Sequence, residues 1–216
     1  MRLDVVYQAM PANCEVLTRS LLDPEFASNL ASFTNYCEQL PEEVQAELED
    51  YEDYEDYAEE YTVTIEFSKA AYRTCSLYPG LEHRCLHLGR KWDVLRYLLS
   101  HDRRGEKAPD RDDSWVDRAI LGGEILHEDK ISITGLAFHY LEPYEVSTIS
   151  ERLNGISIEM LHEYWHPQKM SKAGVYKIHS DDSESIFYYV AEDFHKLRTF
   201  YQLVRQHQEG VITYLY

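Results

Sequence analysis

The five residues His162-Glu163-Tyr164-Trp165-His166 bring this sequence nearest to a catalytic signature. On a helix, two histidines at i and i+4 share one face and could hold a zinc ion, with Glu163 placed to take a proton from a zinc-bound water. Pro167 follows at once, which puts His166 at a fraying helix end. No downstream His or Glu shows a third-ligand pattern. In a chain with ten histidines, chance accounts for the match, and neither a metal nor a cofactor is expected. His83 and His87 repeat the same spacing, with Cys85 between them. A surface or structural role is expected for that trio, whether it lies on a helix or on one face of a strand.

A second constellation surrounds Trp92. Asp93 and Arg96 flank it on a predicted helix and pair at i, i+3, an interaction worth roughly a few tenths of a kcal/mol. Tyr97, Gly122, Gly123, His139 and Tyr140 could line the same cleft. An enzyme or small-ligand binder built on Trp92, Asp93, Arg96, Gly122, Gly123, His139 and Tyr140 is therefore one reading of function.

The other reading comes from residues 38–60, which carry twelve carboxylates and no Lys or Arg. Leu40, Val44, Leu48, Tyr51, Tyr54, Tyr57 and Tyr61 fall on one side of a helix, so the segment is expected to be an amphipathic helix with a tyrosine stripe. A carboxylate-dense face studded with tyrosines suits a basic protein. Tyrosine gives contact area at low entropy cost, and the charges speed encounter. Glu47, Asp50, Tyr51, Tyr54 and Tyr57 are the expected contact residues. This reading is preferred: a non-enzymatic binding protein, immunity- or mimic-like, that engages a basic partner.

The whole composition leans the same way. Asp and Glu total 39 against 21 Lys and Arg, a net charge of −18. Such a field repels phosphate backbones and anionic lipid, so neither nucleic acid nor a membrane surface is an expected partner. No apolar run nears the roughly 20 residues that span a bilayer, and the start of the chain lacks the pattern of a signal peptide. Cys14, Cys37, Cys75 and Cys85 are irregularly spaced and form no Cys-x-x-Cys pair, which reads as reduced thiols in the cytoplasm. Gly-x-Ser-x-Gly, the phosphate-cradling loop and Gly-x-Gly-x-x-Gly are all missing.

The elements that would position these residues are legible in outline. Strands are expected at 3–8, 62–67, within 131–141, at 174–178 and at 211–215. Pro11 is expected to open one helix and Asp23-Pro24 a second. Further helices are expected around Trp92–Leu99, from Glu142-Pro143 to Asn154-Gly155, over 158–165, and over 184–208 with Gly210 closing it. A loop is expected over 102–113. Strands scattered among helices, without a βαβ repeat, predict α+β.

Several stretches occur in a familiar order. They are Gly89–Leu99 (GRKWDVLRYLL), Ala119–Glu124 (AILGGE), Leu141–Val146 (LEPYEV), His166–Met170 (HPQKM) and Gly174–Tyr176 (GVY). Together they resemble the YfbM-like family of bacterial proteins, a family of unknown function. The resemblance covers about residues 85–216, with a weaker match over 1–30. It implies a compact mixed α/β fold and a bacterial cytoplasmic protein, and it brings no activity or catalytic residue. The family usually has His at the positions of Asp93 and Arg96, and Asp at that of His166. Residues 31–84 have no counterpart in these motifs and read as an insertion. The expected architecture is thus one compact α+β domain over 1–216, mostly helical, with a small mixed sheet and an acidic helical insertion at about 31–84.

Overall fold

Val5–Met10 forms the first strand, β1, and every one of its six residues is buried. A strand buried on both faces needs cover on both sides. The computed structural model, which describes residues 4–38, 58–100, 114–127 and 137–216, supplies it. Its sheet has five strands: β1, β2 (Cys85–Leu88), β3 (Glu124–Ile125), β4 (Phe138–Leu141) and β5 (Gly210–Leu215). Their spatial order is β2-β1-β5-β4-β3.

Every pairing is antiparallel, from β1–β2 and β1–β5 to β4–β5 and β3–β4. The expectation of a mixed sheet is corrected here. The helical excursions from β1 to β2 and from β4 to β5 return the chain to the end of the sheet it left, and each strand runs against its neighbour. The α+β class stands.

Register decides which side chains share a face. Tyr7 lies opposite Thr213, and Thr213 opposite His139. On that face the Tyr7 hydroxyl donates to the Ile120 carbonyl at 2.7 Å, and its ring packs 5.8 Å from Phe200. Helices α6 (Ser114–Leu121) and α10 (Glu184–His207) therefore cover this side. The opposite face carries Val6, Tyr214 and Phe138 in one row. There the Tyr214 hydroxyl donates to the Ala31 carbonyl at 3.4 Å. That side is covered by the N-terminal helices α1 (Glu15–Leu22), α2 (Pro24–Ala27) and α3 (Phe33–Glu38), packed with α4 (Ala58–Leu77).

Local chemistry sets most helix ends. Asp23 caps α2, its carboxylate accepting from the Glu25 and Phe26 N–H groups ahead of Pro24. Helix α7 (Pro143–Asn154) starts as the sequence predicts, with the Glu142 N–H donating to the Glu145 carboxylate at 2.9 Å. Helix α1 starts later than Pro11. Cys14 is its N-cap, and Pro11 sits in the preceding turn, its carbonyl accepting from the Cys14 N–H. Helix α10 ends in the left-handed Gln208 (φ 57) and not at Gly210, which is already in β5.

Two expected strands do not form. Residues 62–67 lie inside α4. Phe67, Ala70, Ala71 and Thr74 recur at helical spacing and are buried, whereas Val63 and Ile65 are only half-buried. The helical stripe buries more apolar surface than the short alternation offers. Residues 174–178 turn because Gly174 (φ 74) and Lys177 (φ 57) are both left-handed. Helices α5 (Trp92–Leu99), α8 (Ile158–Glu163) and α9 (Pro167–Lys172) complete the fold.

Phe67 is 1% exposed and packs 5.0 Å from Phe26. Phe67→Ala should lower unfolding stability by about 3–5 kcal/mol. Leu77→Ala, at the 74% exposed end of the same helix, should stay within about 0.5 kcal/mol of the parent. Urea denaturation checks both, and equal effects would contradict this placement of α4.

Candidate functional site

Asp93 is 7% exposed and spends its carboxylate inside the fold. Oδ2 accepts the Tyr176 N–H at 2.8 Å, and Oδ1 accepts from Arg96 Nη1 at 3.3 Å. Arg96 reaches on to Asp117 of α6, with Nε donating to Oδ1 at 2.6 Å, and the two carboxylates hold its guanidinium above its ordinary pKa. Trp92 lies 6.2 Å from the Tyr176 ring, and Lys91 Nζ donates to the Lys177 carbonyl at 2.7 Å. These residues act as a clasp that fastens the turn at 174–178 to α5 and α6.

Gly122, Gly123, His139 and Tyr140 meet at the next step along the chain, where α6 hands over to β3. Gly122 is left-handed (φ 95), and a Cβ there would lie 2.6 Å from the His139 Cβ. A Cβ on Gly123 would overlap the Tyr140 carbonyl oxygen. His139 Nδ1 donates to the Gly123 carbonyl at 3.1 Å. Burial pushes the Tyr140 phenol well above its ordinary pKa. The glycines are spent on close approach between backbones. The structure thus places the seven residues of the expected cleft in two packed clusters joined through α6: Trp92, Asp93 and Arg96 in the first, Gly122, Gly123, His139 and Tyr140 in the second. The expected partner-contact residues Glu47, Asp50, Tyr51, Tyr54 and Tyr57 lie outside the described residues, as does the expected loop at 102–113.

The His-Glu-x-x-His run is divided between two helices. Helix α8 stops at Glu163, and His166 is the N-cap of α9. His162 Nε2 lies 2.9 Å from a Glu184 carboxylate oxygen, and its ring stands edge-on to Phe187 at 4.8 Å. Trp165 is buried against the same Phe187. His83 is in a 3₁₀ turn beside Glu82, whereas His87 is exposed on β2. Among the described residues, no group of three or more His, Cys, Asp or Glu side chains could hold a metal ion.

A cleft of about 440 Å³ that sequence reasoning missed opens where α10 hands over to β5, lined by Pro11, Asn13, Tyr78, Arg84, His207 and Glu209 among others. Its floor is an ion pair whose two side chains are each 5% exposed. Arg84 Nη2 donates to Glu209 Oε1 at 3.1 Å. Nε stands 2.9 Å from Oε2 but off line for a hydrogen bond, so the second arm is an ion contact. Arg84 Nη1 also donates to the Pro79 carbonyl at 3.3 Å. Burial raises the Glu209 carboxyl above its ordinary pKa and outweighs the pull of Arg84. The two residues are 125 positions apart, so no local spacing could have announced them. The pair neutralises itself and leaves the cleft floor without net charge.

A family model described as a domain of unknown function (DUF1877) matches residues 31–214. The chain belongs to the DUF1877 family. The crystal structure of YfbM from Escherichia coli, a protein of unknown function, is similar over 100% of both chains, with a TM-score of 0.56 and 15% identity. The likeness is one of fold. No curated protein matches the chain. The DUF1877 match takes in α3 and α4, whose Phe33, Phe67, Ala70 and Ala71 are part of the core.

Breaking a buried ion pair on one side strands the other charge, which costs about 3–5 kcal/mol, whereas replacing both partners costs much less. Glu209→Gln should therefore destabilise this DUF1877 protein more than the double variant Arg84→Met/Glu209→Leu. Chemical denaturation of the parent and the two variants decides it, and a double variant less stable than Glu209→Gln would contradict the pairing.

Proposed function

We propose that this protein is a non-enzymatic binding protein that engages a basic protein partner through the acid-rich segment at 38–60. One observation carries the reading: the excess charge is segregated. Residues 38–60 hold twelve of the 39 acids, leaving 27 acids against 21 bases in the rest of the chain. Within the described fold the acids are widely matched. Glu15 meets Arg73, Glu66 meets Arg19, and Asp117 meets Arg96. Glu145 meets Arg118, and Glu151 meets Arg205. The acid-rich segment contains no base of its own.

Such a concentration of one sign raises encounter rates with a cation-rich surface and disfavours anionic ones. Tyr51, Tyr54 and Tyr57 would add contact area once the partner is seated. The four cysteines are irregularly spaced and form no Cys-x-x-Cys pair, which supports a reducing compartment. No helix among the described residues is long and apolar enough to cross a membrane. The proposed encounter takes place in the bacterial cytoplasm.

A fluorescent oligolysine peptide tests the reading. Its binding should weaken steeply as salt shortens the screening length toward about 10 Å at 0.1 M. Glu47→Gln/Asp50→Asn should lower affinity about three- to tenfold. Glu159→Gln/Glu192→Gln, which removes two exposed acids elsewhere, should leave it unchanged. Salt-insensitive binding, or equal losses in the two variants, would count against the proposal.

A further inference from the structure

We propose that Cys37 and Cys75 form an oxidisable dithiol, a modification site that peroxide closes into a disulfide between α3 and α4. The two Sγ atoms lie 2.9 Å apart, roughly 0.9 Å beyond the bonded separation of about 2.05 Å. Each cysteine sits near the C-terminal end of its helix, with Cys37 in α3 (Phe33–Glu38) and Cys75 in α4 (Ala58–Leu77).

The other two thiols are engaged elsewhere. Cys14 caps α1, where its sulfur accepts the Leu17 N–H at 3.4 Å and its thiol donates to the Met10 sulfur at 3.4 Å. Cys85 donates to the Glu82 carbonyl at 3.4 Å.

The two members of the pair have different environments, and these divide the chemistry. Cys75 is half-buried and Cys37 buried, so a small oxidant reaches Cys75. The hydrogen bond with Cys75, and then burial, push the Cys37 thiol far above its ordinary pKa. Cys37 is thus held as the thiol in the reduced pair. In the first step the Cys75 sulfur attacks one oxygen of hydrogen peroxide. The O–O bond breaks, and the departing hydroxide takes the thiol proton and leaves as water. Cys75 is then a sulfenic acid. In the second step the Cys37 sulfur attacks Cys75 Sγ, the S–O bond breaks, and the Cys37 proton leaves with the hydroxide as a second water. Two thiols lose two electrons in all, and one peroxide becomes two waters.

The bond would close a covalent loop around the acid-rich stretch, because α3 ends at Glu38 and α4 begins at Ala58. Cross-linking across that interval removes freedom from the unfolded chain, so the oxidised protein should melt at a higher temperature. The proposal rests on the two cysteines alone and is independent of the partner-binding reading.

The test treats the full chain with hydrogen peroxide, alkylates the remaining thiols in denaturant and maps the peptides by mass spectrometry. Free thiols should fall from four to two. One Cys37–Cys75 cross-linked peptide should appear, with a mass lower by about 2 Da, and a reducing agent should restore both thiols. In Cys37→Ser, Cys75 should be trapped as a sulfenic acid by dimedone, with no internal cross-link. Should Cys37→Ser be insoluble, Cys75→Ser serves: its three thiols should all survive a dose that consumes two in the parent. Progress of Cys75 to sulfinic acid without a cross-link in the parent would overturn the proposal. So would a bond to Cys85 or Cys14, or thiol loss in Cys75→Ser.

Discussion

The pairing of β1 with β5 joins the two ends of the chain at the middle of the sheet, in register from Val5 opposite Leu215 to Met10 opposite Gly210. It is continued outside the strands by mutual hydrogen bonds between the backbones of Asp4 and Tyr216, at 3.0 and 3.1 Å. Such a contact between residues far apart in sequence carries a high loop-closure cost. It is offset by burial: all six β1 residues and five of the six in β5 are buried. The remaining strands lie outward from this pair, and helices cover both of its faces.

Two kinds of contact then fix how those helices sit. Buried tyrosine hydroxyls stitch across layers, Tyr7 to Ile120 and Tyr201 to the Ala119 carbonyl at 2.9 Å, both on the last turn of α6. Each supplies apolar area and a satisfied polar tip at once. Immediately after that turn, Gly122 and Gly123 let the chain pass His139, Thr213 and Tyr140 at distances a Cβ would forbid. The Asp93–Arg96–Asp117 clasp then fastens 174–178 over the end of α5 and α6. Residues that look like a ligand site in sequence hold the scaffold together.

That double meaning explains what could be read in advance. Asp23-Pro24, Glu142-Pro143 and the stripe of α10 are local signals, and they lie where expected. Phe67 misled because Val63, Ile65 and Phe67 alternate like a strand for one short run, while the deciding residues Ala70, Ala71 and Thr74 come later. The sense of the strands depends on how helices return the chain, which no residue pattern encodes. The family resemblance, resting on short ordered runs such as Gly89–Leu99 and Ala119–Glu124, is matched by the DUF1877 model over 31–214. The Arg84–Glu209 cleft was invisible because its partners meet only when β5 returns beside β1. The partner-contact residues rest on charge and periodicity alone.

The account divides the chain into a core that pairs most of its own charges and a segment that carries two thirds of the surplus. Replacing residues 39–57 with a neutral Gly/Ser chain of the same length tests that division most directly, with melting temperature and oligolysine affinity measured on the same sample. The account predicts a protein that still folds cooperatively around β1 and β5 but has lost its salt-dependent binding. A variant that binds as the parent does, or that no longer folds, would contradict it.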